Sequence, residues 1–201
     1  HYIKRQLLAT MVLDDIEVLH IDDEPDFADL AATYLERESN RITVTTATSV
    51  PDGINQLTGE IDCVISDYDM PEQNGIELLE TVREEYPDLP FILYTGKGSE
   101  EIASEAITAG VTDYLQKGYG PEQYELLANR LINAVEQARA HDQAEKYHRV
   151  STVVRDINKD LVEATTRTEI SCRVCQTITN AEPYVFAWIG ATDPKTDQIT
   201  P

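Results

Sequence analysis

The sequence predicts an α/β protein built on a doubly wound, five-stranded parallel sheet, followed by a C-terminal extended helix and a partial α+β segment. Two observations predict the sheet: five short apolar runs are each bounded by turn residues, and they alternate with stretches of helical period. A third predicts where its chemistry lies. Crossovers between parallel strands are right-handed and ligands gather beyond the strands' carboxyl ends, where acids, a threonine and a lysine follow four of the runs.

The first run, Ile16–Ile21, precedes Phe27, Leu30, Ala31, Tyr34 and Leu35, which recur at the spacing of one helix face, with Pro25 suited to a first turn. After the second run, Ile42–Thr46, Ser49 can cap a helix carrying Val50, Ile54 and Leu57. The third run is Ile61–Ser66, and Gly75 opens a helix that buries Ile76, Leu79 and Val82. The fourth is Phe91–Thr95, after which Ser99 caps a helix with Ile102, Ala103, Ala106 and Ile107 inward and Gly110 placed to end it. The fifth is Asp113–Gln116. Gly120-Pro121 then starts a helix with Tyr124, Leu127, Leu131 and Val135 on its inner face.

Helical character continues, because no Gly or Pro occurs between Pro121 and Pro183. Tyr147, Val150, Val154, Ile157, Leu161 and Ala164 alternate steps of three and four, a heptad seam of under three heptads that predicts a dimerising connector helix, with a surface helix packed on its own domain as the alternative. Thr166 and Glu169 have capping-box spacing for a further helix, with Ile170, Val174 and Ile178 aligned. Tyr184–Ala191 reads as a strand, and Asp193 to Asp197 as a turn. The organisation expected is an N-terminal tail over 1–15, with Met11 a candidate start, a first domain over 16–140, a helical linker and candidate coiled coil over 141–167, and a second unit over 168–201.

Against 16 basic residues stand 37 acidic ones, a formal net charge of -21 that disfavours binding to nucleic acid or an anionic membrane. Acidity spread this evenly suits a halophilic cytosol, although an ordinary acidic signalling protein has the same look. Three cysteines with no framework spacing fit a reducing, cytoplasmic setting. No stretch is long and apolar enough to span a bilayer, and the leader has too short an apolar run for an export signal. Cys172 and Cys175 have zinc-ligand spacing, but without a second pair they read as helix residues. His141 and His148 read as solvated, and His20 as half-buried packing.

The carboxyl edge carries the chemistry. Asp22 and Asp23 follow the first strand, Asp67 the third and Lys117 the fifth, while Thr95 closes the fourth. Three clustered acids need a counter-charge, which a hard divalent ion supplies, and Mg²⁺ is the ion expected. Lys117 could hold a phosphoryl oxygen, and Thr95 could donate a hydrogen bond to another. Each residue alone has a plainer reading, Asp23 as a helix cap and Asp67 as a turn residue; it is their joint placement that points to a site.

Ile21-Asp22-Asp23-Glu24, Asp67-Tyr68-Asp69-Met70-Pro71 with Gly75, Tyr94-Thr95-Gly96, and Tyr114-Leu115-Gln116-Lys117 together resemble the response-regulator receivers throughout the first domain. The resemblance implies a flavodoxin-like strand order of 2-1-3-4-5. It also implies phosphorylation of Asp67 by a partner histidine kinase, and Mg²⁺ held by Asp22, Asp23, Asp67 and the backbone carbonyl of Asp69. It assigns Thr95 to the switch hydroxyl, Lys117 to the lysine of the site, and Tyr114 to the aromatic that turns inward as Thr95 moves. Gly96 would leave room for water, hence self-dephosphorylation.

A haloacid-dehalogenase-like phosphatase is the rival, since Asp67-Tyr68-Asp69 imitates its paired aspartates, but that motif opens its chain on the first strand. A pseudo-receiver that only binds partners is the other, and an intact acid set argues against it. The stretch from Thr168, above all Glu182 to Gly190, resembles the opening of a GAF sensor domain. A receiver followed by such a segment is similar to haloarchaeal signal-transduction proteins, with the output beyond Pro201 or in another chain.

Overall fold

The computed structural model describes residues 15–96, 98–164 and 166–181, with Phe186, Ala187, Ile189 and the pairs 191–192 and 199–200. The chain divides into compact units at Arg139/Ala140.

In the first unit, β1 (Ile16–Ile21), α1 (Pro25–Glu38), β2 (Ile42–Ala47), α2 (Val50–Gln56), β3 (Cys63–Ser66), α3 (Gly75–Glu85), β4 (Phe91–Thr95), α4 (Glu100–Thr108) and β5 (Asp113–Gln116) alternate strictly. They lead into α5 (Glu122–Glu163). The strands form one parallel sheet in the order β2-β1-β3-β4-β5.

Burial on both faces explains why the central strands read as continuous apolar runs. One face packs Leu19, Ile21, Val64 and Leu93 against Ile76, Leu79 and Val82 of α3 and Ala106 of α4. The other packs Val18, Ile65, Ile92 and Tyr94 against Leu35 of α1 and Leu127, Leu131 and Val135 of α5. Side chains alternate along β1, so His20 lies with Val18 on the second face.

The caps match the residues that predict them. Ser49 Oγ accepts from Asp52 N, Ser99 Oγ from Ile102 N, and Gly110 adopts φ +85° to end its helix. α3 carries a full capping box, with Asn74 taking the N–H groups of Ile76 and Glu77 while Glu77 takes that of Asn74.

In the first unit three expectations need correction, and the plainer reading of Asp23 as a helix cap fails as well. β3 begins at Cys63 and not Ile61, because Ile61 N turns back to Thr58 O and the Asp62 carboxylate binds Glu17 N and Arg139. Leu30, Ile54 and Ile107 are outward, at 47%, 39% and 70% exposure. Each stands beside a buried neighbour but is rotated by about 100° around its helix, past the edge of the packed stripe. Asp23 does not cap α1: its N-cap is Glu24, with no side-chain cap bond, and Asp22 Oδ1 receives Glu24 N. His20 is fully buried and not half-buried.

In the second unit the helix runs unbroken to Glu163, with Tyr147, Val150, Val154 and Leu161 exposed. Thr166 caps α6 (Arg167–Thr179) by accepting from Glu169 N, and Ile170, Val174 and Ile178 are half-buried. His141 is exposed and pairs with Glu145 at 3.5 Å. Cys172 is exposed and Cys175 half-buried, while Cys63 is buried at the start of β3. Of the stretch Tyr184–Ala191, Phe186, Ala187 and Ile189 are not in a strand, and Ala191 starts β6 (Ala191–Thr192), which pairs antiparallel with β7 (Ile199–Thr200). The remainder of that stretch, the turn from Asp193 to Asp197 and the tail to Asp14 lie outside the described residues.

Candidate functional site

Strand register brings the site residues together. Ile21 pairs with Ser66, so Asp22 and Asp67 leave β1 and β3 side by side, and Asp67 N donates to Ile21 O at 2.9 Å. Thr95 pairs with Gln116, and Lys117 N donates to Thr95 O at 2.8 Å, which sets the root of the lysine beside the end of β4.

Asp22, Asp23 and Asp67 each present a carboxylate oxygen within 4.8 Å of the other two. Lys117 Nζ lies 2.7 Å from Asp22 Oδ2 and 3.3 Å from Asp67 Oδ1. The second contact is an ion pair without hydrogen-bond geometry, so Asp67 Oδ1 is buried with no hydrogen-bond partner. Burial pushes the Asp22 carboxyl above the usual carboxylate range, against the pull of its bond from Lys117. An orphaned buried carboxylate oxygen with two further acids within reach makes an oxygen donor set that fits a hard divalent cation, its negative charge only partly balanced by the one ammonium.

The surrounding residues fix this cluster. Gly75 stands where no side chain fits: a Cβ there would collide with the backbone carbonyl of Asp67 and come within 2.7 Å of Leu93 Cδ1. Its N–H closes the β3–α3 loop onto Tyr68 O at 2.9 Å. Within that loop Asp69 is exposed, Met70 is buried, and Glu72 adopts φ 71°, a left-handed conformation that non-glycine residues rarely take. Thr95 is fully buried, Tyr114 is half-buried on β5, and burial raises the Tyr114 hydroxyl. A Cβ at Gly96 would lie 4.0 Å from Lys117 Cδ, an ordinary contact.

Three features escaped the sequence. The Phe27 ring lies beneath the lysine, its centroid 4.2 Å from Lys117 Nζ. His20 is enclosed 3.8 Å from Asp22 Oδ2 with neither ring nitrogen hydrogen-bonded, and burial first, then the Lys117 charge, lowers it to about 4. Gln123, in the first turn of α5, takes hydrogen bonds from Gly118 N and the Tyr94 hydroxyl, tying the loop after Lys117 to β4. Phe27 had only its core-face spacing to show, and His20 only its place before the acid pair.

The family model for the response regulator receiver domain matches residues 18–129. The chain belongs to the response-regulator receiver family. The response regulator SaeR of Staphylococcus aureus is 35% identical over 120 residues, 60% of this chain and 52% of the relative. The chain thus spans about half the length of the curated relatives it matches. A receiver domain protein of Clostridium thermocellum is similar in structure, with TM-score 0.56, 27% identity, and coverage of 62% of this chain and 98% of that one. A CheY-like receiver of Methanospirillum hungatei shares the fold at TM-score 0.55 and 24% identity, over 62% of this chain and 98% of its own. The first unit is therefore a receiver domain of two-component signalling.

Proposed function

We propose that Asp67 is the phosphoacceptor of this receiver, charged by a histidine kinase. One observation carries the reading: the buried Asp67 Oδ1, with no hydrogen-bond partner, sits among two acids and an ammonium at the carboxyl edge of the sheet.

An Asp67 carboxylate oxygen attacks phosphorus in line with the scissile bond of a phosphohistidine. The O–P bond forms as the P–N bond breaks, and the bonding pair returns to the imidazole nitrogen. Lys117 offers its ammonium to a phosphoryl oxygen, and the Thr95 hydroxyl donates to another. Mg²⁺, held by Asp22, Asp23, Asp67 and the backbone carbonyl of Asp69, would supply charge neutralisation to the acids and the phosphoryl oxygens. Movement of Thr95 toward the acyl phosphate frees space for Tyr114 to turn inward, which biases the surface formed by α4, β5 and the start of α5. Water entering beside Gly96 attacks phosphorus, the P–O bond to Asp67 breaks with its electron pair returning to the carboxylate, and inorganic phosphate leaves.

Residues 16–140 form the receiver, 141–167 a helical linker, and 168–201 the opening of a GAF-like domain of haloarchaeal type, in a cytoplasmic protein. No nucleic acid binds through this region. Two copies pair through α5 and the linker, and within 141–167 five acids, Asp142, Glu145, Asp156, Asp160 and Glu163, meet five bases, Lys146, Arg149, Arg155, Lys159 and Arg167. That near-neutral stretch lets copies of a chain at -21 approach one another.

The test is labelling by a small phosphodonor such as acetyl phosphate with Mg²⁺. Wild type takes up phosphate at one site and Asp67→Ala takes up none; equal labelling of the two ends the proposal.

A further inference from the structure

Lys117 has a third partner besides the two carboxylates. Its Nζ lies 4.2 Å from the centroid of the Phe27 ring, inside the range of about 6 Å over which an ammonium is drawn to an aromatic face. The lysine side chain is only 13% exposed, so little water screens the contact. Phe27 belongs to the first turn of α1, with its N–H bonded to Glu24 O at 3.0 Å, so the chain that delivers Asp22 and Asp23 also delivers the ring. Other rings hold it in place: Tyr94 at 5.9 Å and Tyr124 at 6.5 Å, with Tyr124 stacked on Tyr34 at 4.5 Å.

We propose that Phe27 is a positioning residue for the phosphoryl-transfer step, holding the Lys117 ammonium at the mouth of the acid cluster by a cation–π contact. An aromatic face attracts the charge without accepting a directional hydrogen bond. The three N–H donors of the ammonium therefore stay free to serve Asp22, Asp67 and an arriving phosphoryl oxygen. A carboxylate in the place of Phe27 would hold the ammonium more tightly but would withdraw a donor from the reaction. A leucine there would pack against the lysine stem but leave the charge unanchored, so the ring electrons, and not the ring's volume, carry the effect.

This rests on Asp67 as phosphoacceptor for its kinetic arm only. Replacing Phe27 with 4-fluoro-, 3,5-difluoro- and 3,4,5-trifluorophenylalanine weakens the ring's negative face in steps while changing its volume little. Labelling by acetyl phosphate is expected to slow at each step and to reach its lowest rate in Phe27→Leu, a loss of roughly two- to thirtyfold for a contact of this kind. Circular dichroism of the fluorinated chains stays that of wild type. In proton NMR the ε-methylene of Lys117, bonded to the Nζ that lies over the ring, is expected upfield without phosphodonor or metal, and the shift vanishes in Phe27→Leu. Labelling rates equal across the fluorinated series, or an ε-methylene that resonates alike in wild type and Phe27→Leu, overturn the proposal. Wild type that takes no phosphate refutes Asp67 as acceptor, while the methylene shift still decides whether the ring holds the lysine.

Discussion

The two halves of α5 follow the same apolar periodicity and meet different surroundings. Between Glu122 and Arg139 the helix buries Tyr124, Leu127, Ala128, Leu131, Ala134 and Val135, four of them at 3% exposure or less on the large side chains. From Ala140 on, the stripe continues as Tyr147, Val150, Val154 and Leu161, exposed by 42–69%, with Ile157 of the same stripe half-buried. Periodicity thus tells which side of a helix is apolar and says nothing of what covers it. Packing on the sheet stabilises the first half, whereas i,i+4 pairs such as Asp142–Lys146 at 2.6 Å decorate the second.

The largest expected effect would break this contrast most directly. Leu131→Ala should cost about 2–5 kcal/mol in a urea titration, since it empties a fully buried site, while Leu161→Ala should cost under about 1 kcal/mol. Equal losses would mean that the second half is packed as firmly as the first.

The sheet face beneath the first half also holds His20, which ordinarily titrates near 6.5 and is lowered to about 4. The unfolded chain takes up the proton first as pH falls. The stability His20 contributes is therefore present above pH 6.5 and lost as pH falls toward about 4, a difference of about 3 kcal/mol. The raised Asp22 carboxyl acts oppositely, contributing stability below its ordinary 3.8 that is lost as pH rises through its elevated value. Stability against pH for wild type minus His20→Leu isolates the histidine, and a flat difference between pH 6.5 and 4 would show that the imidazole is not enclosed.

A smaller effect separates caps from packing in the first unit. Asn74→Ala removes the capping box of α3 and should lower stability by about 1 kcal/mol, read as a shift in the urea midpoint at unchanged slope. The smallest concerns the seam. Val150→Ser with Val154→Ser should change the stability of the receiver unit by under about 0.5 kcal/mol, yet turn a dimer into a monomer in sedimentation. A monomeric wild type at high concentration, with and without phosphorylation, would leave the exposed stripe without that partner.

Much of the first unit was legible because parallel strands announce themselves twice, by an apolar run and by the turn residues that bound it. Ile16–Ile21, Phe91–Thr95 and Asp113–Gln116 have the bounds their runs predict. The meeting of Asp22, Asp23, Asp67 and Lys117 was legible for a topological reason: every carboxyl end of such a sheet lies on one edge. The start of β3 was not, since only the tertiary pairing of Asp62 with Glu17 N and Arg139 shows that Ile61 belongs to a turn. Phe27 fits the α1 stripe whether or not a lysine sits above it, and pattern alone assigned it to the core. Gly75 reads in the sequence as a helix start, but its cause is the close approach of Asp67 backbone, which is a property of two elements and not of one.

The distribution of thiols has a practical sequel. Cys63 is sealed inside the sheet, and its burial drives the thiol away from ionisation, whereas Cys172 is open to solvent on α6. A maleimide fluorophore will therefore tag α6 and spare Cys63 without any engineering, so its emission can test whether α6 responds to acetyl phosphate.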